Sequence, residues 1–450
     1  MTDTPSFPLP LDSREQDILE NLRHLRDELT LLKQDRSTYI KSADVISIYD
    51  RTVEQVHFLN EIRITKPTEQ NQVDRMLDCC FQLLSLFFMT IGRNNEAPAA
   101  YALTSTIKRL LDHLTEAEIY SAKDLSHISS TLEKLQTVVE NSDESHSRNL
   151  ITLLINRINL CKNSLTSLKI RLSYFDDELL TVHEKLISIL RLLSSANTRK
   201  IFSKAEVEKL QCQLREIKKK KRNQNENFTK PIGKAPRGSE EIFYLLEKCS
   251  IWADITLERT VIPFSKGEIP EGFNTTYLSL VDIRNELAKL SLTQAWSLRE
   301  TDLYDYQRQL DKIDESRING NFYSVEGNAA DLYVQRTFLY LIRRSYAYIY
   351  YLMVASEPVS EGLLPVYNQL QTLRRCLREV KKSGGVSSPR ELYPYTMKLD
   401  SLDSLRTNGK FLVGNEIPDG QECVNDLLSE CCDLRHQLQM EAEKAAERKP

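Results

Sequence analysis

Five short junctions, each set between runs of helical apolar periodicity, constrain this chain more than any other feature. "YIKSADV" ends at Val45, "IYSAKDL" at Leu125, "IFSKAEV" at Val207, "SLRETDL" at Leu303 and "SSPREL" at Leu392. Their acidic positions are Asp44, Asp124, Glu206, Asp302 and Glu391, spaced 80, 82, 96 and 89 residues apart. Ser121, Ser203 and Ser388 stand three residues before the acid, and Pro389 takes the favoured first helical position. A serine and an acid at that spacing satisfy the unpaired amides of a helix start and oppose its dipole. One such match is common; five in register are not.

The runs on either side have the period of helices. Before the first junction, Ile18, Leu22, Leu25, Leu29 and Leu32 are spaced 4, 3, 4 and 3, which puts one apolar stripe on one face. Ser13 and Gln16 read as a capping box at the start of that helix. After the junction, Val45, Ile48, Val53, Val56 and Leu59 continue a second helix. A third periodic run then follows in every unit: "NQVDRMLDCCFQLL", "SRNLITLLINRINLCKNSL", "SEEIFYLLEKCSIWADI", "LYVQRTFLYLIRRSYAYIYYL" and "ECVNDLLSECCDLRHQL". The first and third of these align Leu77 with Leu246 and Cys80 with Cys249. The chain reads as five units of three helices, here a, b and c, over 13–95, 96–172, 173–258, 275–356 and 362–445. The expected fold class is all-α: tandem three-helix units forming a helical array or two packed helical bundles. In domain terms, 13–172 holds units 1 and 2, and 173–258 holds unit 3 with a basic loop at 218–238. A linker spans 259–274, units 4 and 5 span 275–445, and the ends 1–12 and 446–450 are expected to be disordered.

Composition supports this and narrows function. Only 13 of 450 residues are glycine, too few for sheet-rich folds or glycine-lined nucleotide loops. The net charge of −4 leaves no bulk attraction for nucleic acid, so any such contact needs a local patch. Nine cysteines without a C-x-x-C pattern, and a polar, proline-rich start instead of a leader, point to free thiols in a reducing compartment, cytosol or nucleus. "FQLLSLFFMTI" (81–91) is too short to span a bilayer, so no transmembrane segment is expected. The adjacent pairs Cys79–Cys80 and Cys431–Cys432 point about 100° apart on a helix and chelate one metal poorly. The seven histidines show no metal spacing, and no nucleophile motif or phosphate loop occurs. No catalytic residue, metal or cofactor is therefore assigned.

Two features carry candidate sites. The connection between helices b and c is long in units 3, 4 and 5, where "RNQNENF" (222–228), "RINGNF" (317–322) and "RTNGKF" (406–411) run parallel. Phe228, Phe322 and Phe411 share one register and are candidate anchors of a repeated ordered loop. Loops of that kind, over 222–238, 317–328 and 406–420, offer a binding face. The third unit adds charge: Lys218, Lys219, Lys220, Lys221, Arg222, Lys230, Lys234 and Arg237 are candidate anion-binding residues. Lysines at a helix end also complement the helix dipole, and Phe228 is the one ring available for base stacking.

Finally, "DILENLRHLRDEL" with "YIKSADV", and "NGKFLVGNEIPDGQECVNDLLSECCDL" near the end, resemble a fungal protein family of unknown function over most of the chain. The resemblance implies a cytosolic or nuclear fungal protein and carries over no catalytic or ligand residue. The function expected on these grounds is a non-enzymatic helical scaffold or adaptor with unidentified protein partners. The alternative is a binder of a phosphate-rich ligand (an inositol phosphate, anionic lipid or RNA) through 218–237.

Overall fold

An α-helix forms where apolar residues recur on one face and the first amides find acceptors. Fifteen α-helices lie among the described residues, in the a, b, c order. The structure, a computed structural model, describes residues 7–64, 70–142, 146–199, 203–227, 238–261, 269–294, 298–324 and 326–447. Unit 1 is α1 (Ser13–Gln34), α2 (Ser42–Arg63) and α3 (Gln72–Thr90). Unit 2 is α4 (Ala100–Ala117), α5 (Ala122–Glu140) and α6 (Arg148–Ser173). Unit 3 is α7 (Asp177–Asn197), α8 (Lys204–Asn227) and α9 (Ser239–Val261). Unit 4 is α10 (Glu271–Lys289), α11 (Leu303–Glu315) and α12 (Leu332–Val354). Unit 5 is α13 (Leu364–Lys382), α14 (Tyr393–Asp403) and α15 (Gln421–Glu447), with a two-stranded hairpin of β1 (Arg406–Thr407) and β2 (Lys410–Phe411). Short 3₁₀ turns at Glu300–Asp302 and Pro389–Leu392 lead into α11 and α14.

The helix starts differ in how their amides are satisfied. Asp12, not Ser13, caps α1: its carboxylate accepts from the Arg14 amide at 2.9 Å, and Gln16 Nε2 reaches back to the Pro10 carbonyl at 3.0 Å. At α5 the full box forms, with Ser121 Oγ accepting from the Asp124 amide and Asp124 accepting from the Ser121 amide. At α2 the cap position is Lys41, which has no acceptor to offer, and Ser42 Oγ instead donates to Asp419 of unit 5. Residues 7–10, expected as part of a disordered end, lie along the start of α3. The Gln72 amide donates to the Pro8 carbonyl and Gln72 Nε2 to the Phe7 carbonyl, both at 3.1 Å. Those carbonyls supply acceptors that the first turn of α3 lacks internally. On either side of the expected 259–274 linker, α9 runs to Val261 and α10 begins at Glu271. At the other end α15 continues to Glu447.

Helices a and c lie side by side in every unit. The units do not stack in chain order. α12 lies against α4, and α11 with its leading turn lies against α3, so unit 4 closes over units 1 and 2 around one core. α3 is the axis of that core. Every residue from Cys79 to Thr90 is buried, as expected for a helix apolar all round. Unit 3 has its own core around Leu190, Leu193, Leu246 and Trp252, and unit 5 another around Leu370, Leu402, Phe411 and Val424.

Unit 5 is seated by backbone contact. Gly92 (φ 85°) and Gly420 (φ 93°) pinch the Val359–Ser360 segment, where a Cβ would come within 2.6 Å of the Ser360 nitrogen or 2.7 Å of the Val359 Cα. Only glycine fits either place. Among the described residues no helix is long and apolar enough to cross a membrane.

Candidate functional site

Of the candidate anion-binding residues, Lys218 and Lys219 are exposed near the end of α8. The side chains of Lys220, Lys221 and Arg222, and the whole of Phe228, Lys230, Lys234 and Arg237, lie outside the described residues. One expectation changes: Arg222 to Asn227 are not a loop but the last turns of α8. The physical reason is local. The stretch "RNQNEN" has no glycine to take a left-handed turn and contains helix-forming Arg, Gln and Glu.

The other two loops share one construction. Asn319 and Gly320 have φ of 51° and 80°, and Asn408 and Gly409 of 54° and 78°, the paired left-handed residues of a tight hairpin turn. Ile318 bridges Asn321 in the first, and β1 pairs with β2 in the second. Phe322 is 3% exposed and meets Phe338 edge to face at 5.1 Å; Phe411 is 2% exposed. A glutamine from the following helix closes each loop. Gln335 Oε1 accepts from the Phe322 amide at 3.1 Å, and Gln421 Oε1 from the Phe411 amide at 2.9 Å. The next residue, Tyr323 or Leu412, then points to water at 40% and 38% exposure.

The two loops sit at opposite ends of α3. Arg75 in its first turn pairs with Glu315, just before the first loop, at 2.7 Å. Arg93, just past its end, pairs with Asp419, in the second, at 3.0 Å. With 19 residues, α3 separates them by about 28 Å.

α11 carries an acidic trio that the sequence shows only as an i, i+3, i+4 spacing in "DKIDE". Tyr346 donates to Asp311 at 2.7 Å, His113 Nε2 to Asp314 at 3.0 Å, and Arg109 to Glu315 at 2.8 Å. Burial pushes the Asp311 carboxyl up, against the pull of Arg109 and the Tyr346 hydroxyl. Burial would raise Asp314 too, but the His113 bond and the charges of His113, Arg317 and Arg109 outweigh it and hold the carboxyl below the usual range. The trio is thus an internal clamp joining unit 4 to units 1 and 2.

A recess of about 260 Å³ opens between α2, the end of α3 and the α5–α6 turn, lined by Tyr49, Asp50, Phe88, Arg93, Glu96 and His146 among others. His146 Nε2 lies 3.4 Å from Glu96, while its Nδ1 is buried without a partner. Arg93 spans Glu96 and Asp419. Tyr49 packs edge to face on Phe88 and His146, and burial pushes its hydroxyl up to about 12. No spacing in the sequence links these residues. Among the described residues no three His, Cys, Asp or Glu side chains are grouped to hold a metal.

Residues 172–300 and 357–449 match the family model described as "Protein of unknown function (DUF2408)". The chain is 38% identical over 444 residues to "CUB1 family protein C30C2.08" of Schizosaccharomyces pombe, covering 98% of this chain and 96% of that one. It is 36% identical over 519 residues to "Cu(2+) suppressing and bleomycin sensitive protein 1" of Saccharomyces cerevisiae, covering 98% and 92%. No solved structure matches. Because both alignments run through nearly the whole chain, including units 1 and 2 and the helices α11 and α12 that the family model leaves out, the chain belongs to the fungal DUF2408 family of unknown function.

Proposed function

We propose that the chain is a non-enzymatic helical scaffold that binds protein partners through its hairpin loops. The observation that carries this is the shared build of the two described loops. Each buries one phenylalanine, closes on a glutamine, and offers the following apolar residue, Tyr323 or Leu412, to solvent. Held at the two ends of α3, they form two contact points on a frame clamped by cross-unit ion pairs. Apolar residues displayed on ordered loops are what a partner surface uses.

The test is affinity purification with mass spectrometry of the wild type and of the Tyr323→Asp, Leu412→Asp double variant. The variant should melt like wild type yet lose specific partners. Phe322→Ala should instead lower stability by about 3 kcal/mol. An unchanged partner set from the folded double variant would end the loop reading. The budding-yeast relative's name records copper(II) suppression and bleomycin sensitivity. Growth on both agents, in cells where this chain replaces that relative, is a second readout.

The alternative, a phosphate-rich ligand on the lysine run, rests on Lys218 and Lys219 standing exposed at the end of α8. It requires that Lys218→Glu, Lys219→Glu abolish a salt-sensitive interaction.

A further inference from the structure

Where units 2, 3 and 4 meet, Lys248 lies within electrostatic reach of Arg336 and Arg343, and among the described residues none of the three forms an ion pair. α12 carries Arg336, Arg343 and Arg344 and no Asp or Glu between Leu332 and Val354. Arg336 and Arg343 are seven residues apart, so they lie on one stripe. Arg336 sits 6.0 Å from the Trp252 ring of α9, and Tyr333 meets the same ring at 5.7 Å, tilted by 44°. Lys248, one turn before Trp252 on α9, extends its Nζ to 3.5 Å from the Ala117 carbonyl at the end of α4. Arg343 keeps part of its surface in water, but its Nη1 is shut away from it with no hydrogen-bond partner.

The carboxylates within electrostatic reach are already engaged. Glu116 accepts from Arg317 at 2.7 Å and Glu118 from Arg171 at 3.0 Å, while the neighbouring Arg191 is itself taken up by Asp124 at 2.6 Å. The cations act on one another accordingly. Burial, then Arg336 and Arg343, push Lys248 down. Burial, then Arg191, bring the Arg343 guanidinium down to about 10. A half-buried cation that lacks a partner is costly, and the cost is removed when an anion supplies charge-assisted hydrogen bonds.

We infer that Lys248, Arg336 and Arg343 form a binding site for a small, phosphate-rich anion, held between α9 and α12 with Nη1 of Arg343 as its innermost donor. Two guanidinium forks and one ammonium match several phosphate oxygens at once, as a single monoanion would not. The site is separate from the lysine run on α8 and from the hairpin loops.

The test is calorimetry and thermal melting of the full chain with inositol hexakisphosphate and with inorganic pyrophosphate. Either anion should raise the melting temperature by several degrees. Arg336→Gln and Lys248→Gln should each weaken binding about tenfold or more. Arg343→Met should abolish the anion response and, in anion-free buffer, melt higher than wild type, because it removes an uncompensated charge. A Lys218→Ala, Lys219→Ala control should keep the response.

No response of the wild type to either anion would overturn the inference. So would a response that survives Arg343→Met but is lost in the Lys218, Lys219 control. In a lipid arm, phosphatidylcholine vesicles containing phosphatidylinositol bisphosphate distinguish a headgroup from a soluble ligand. Sedimentation with those vesicles, without any response to the soluble anions, would also overturn a recessed site.

Discussion

At the scale of residues, buried and half-buried acids set the pH response expected of this protein. Asp124 and Asp314 are both held below their ordinary 3.8. In each, burial is outweighed: by Arg191 and the Ser121 cap at Asp124, and by His113, Arg317 and Arg109 at Asp314. A depressed carboxyl contributes stability that is fully present above its unfolded value and drains away as pH falls through the folded one. Asp311 works the other way. Burial raises it, so its folded form holds the proton more tightly and its charge is a cost above that point. The net expectation is a stability plateau near neutral pH and a decline from about pH 5 to about pH 3. Urea midpoints across that range should fall less for Asp314→Asn than for wild type. Equal slopes would mean that the His113–Asp314 pair contributes nothing to the acid transition. The acids themselves could be read from the sequence as an i, i+3, i+4 set. Their partners could not, because His113 and Arg109 stand some 200 positions away on α4.

At the scale of elements, local chemistry explains most of what forms. The a, b and c helices follow from apolar spacing, and the tight turns from Asn-Gly pairs that take positive φ. Gly320→Ala forces a side chain into φ 80° and should cost about 1 kcal/mol or more. The same substitution at Gly320 meets only a Glu116 oxygen at 3.9 Å, so the cost is backbone strain and not a clash. A melting curve identical to wild type would show that the hairpin adds nothing to stability. Where local reading misled, a stronger local signal was competing. Asp12 outranks Ser13 as the cap of α1 because its extended backbone aims a carboxylate at the Arg14 amide. "RNQNEN" resembles the two hairpins in letters but lacks the glycine that makes them turn, and so it stays in α8.

At the scale of the whole molecule, unit 5 is a separate core fastened to the rest by a small set of contacts. Arg93 and Ser42 both hold Asp419, Lys41 and Tyr39 hold Glu416, and Arg299 ties Glu361 to the carbonyls of Asp35 and Thr38. Asp419→Ala removes the acceptor that two of these donors share and leaves the Glu416 and Arg299 contacts and the glycine pinch around Val359 as the remaining ties. Amide hydrogen exchange in α13, α14 and α15 should quicken, while α3 and α4 keep their protection. Uniformly faster exchange throughout would mean that unit 5 and the central core unfold as one.

Periodicity, caps and turn residues are properties of neighbouring positions, and so the chain by itself determined its class, its five units of three helices, and the hairpins at 317–322 and 406–411. It also limited chemistry, by offering no reactive motif at readable spacing. Which unit meets which was decided only in three dimensions. The apolar stripes are alike in composition, so pattern does not say that α12 belongs on α4 or α11 on α3; shape and half-buried ion pairs do. The same holds for Lys248, Arg336 and Arg343. In the sequence they are ordinary helix charges; only packing brings Lys248 within electrostatic reach of Arg336 and Arg343.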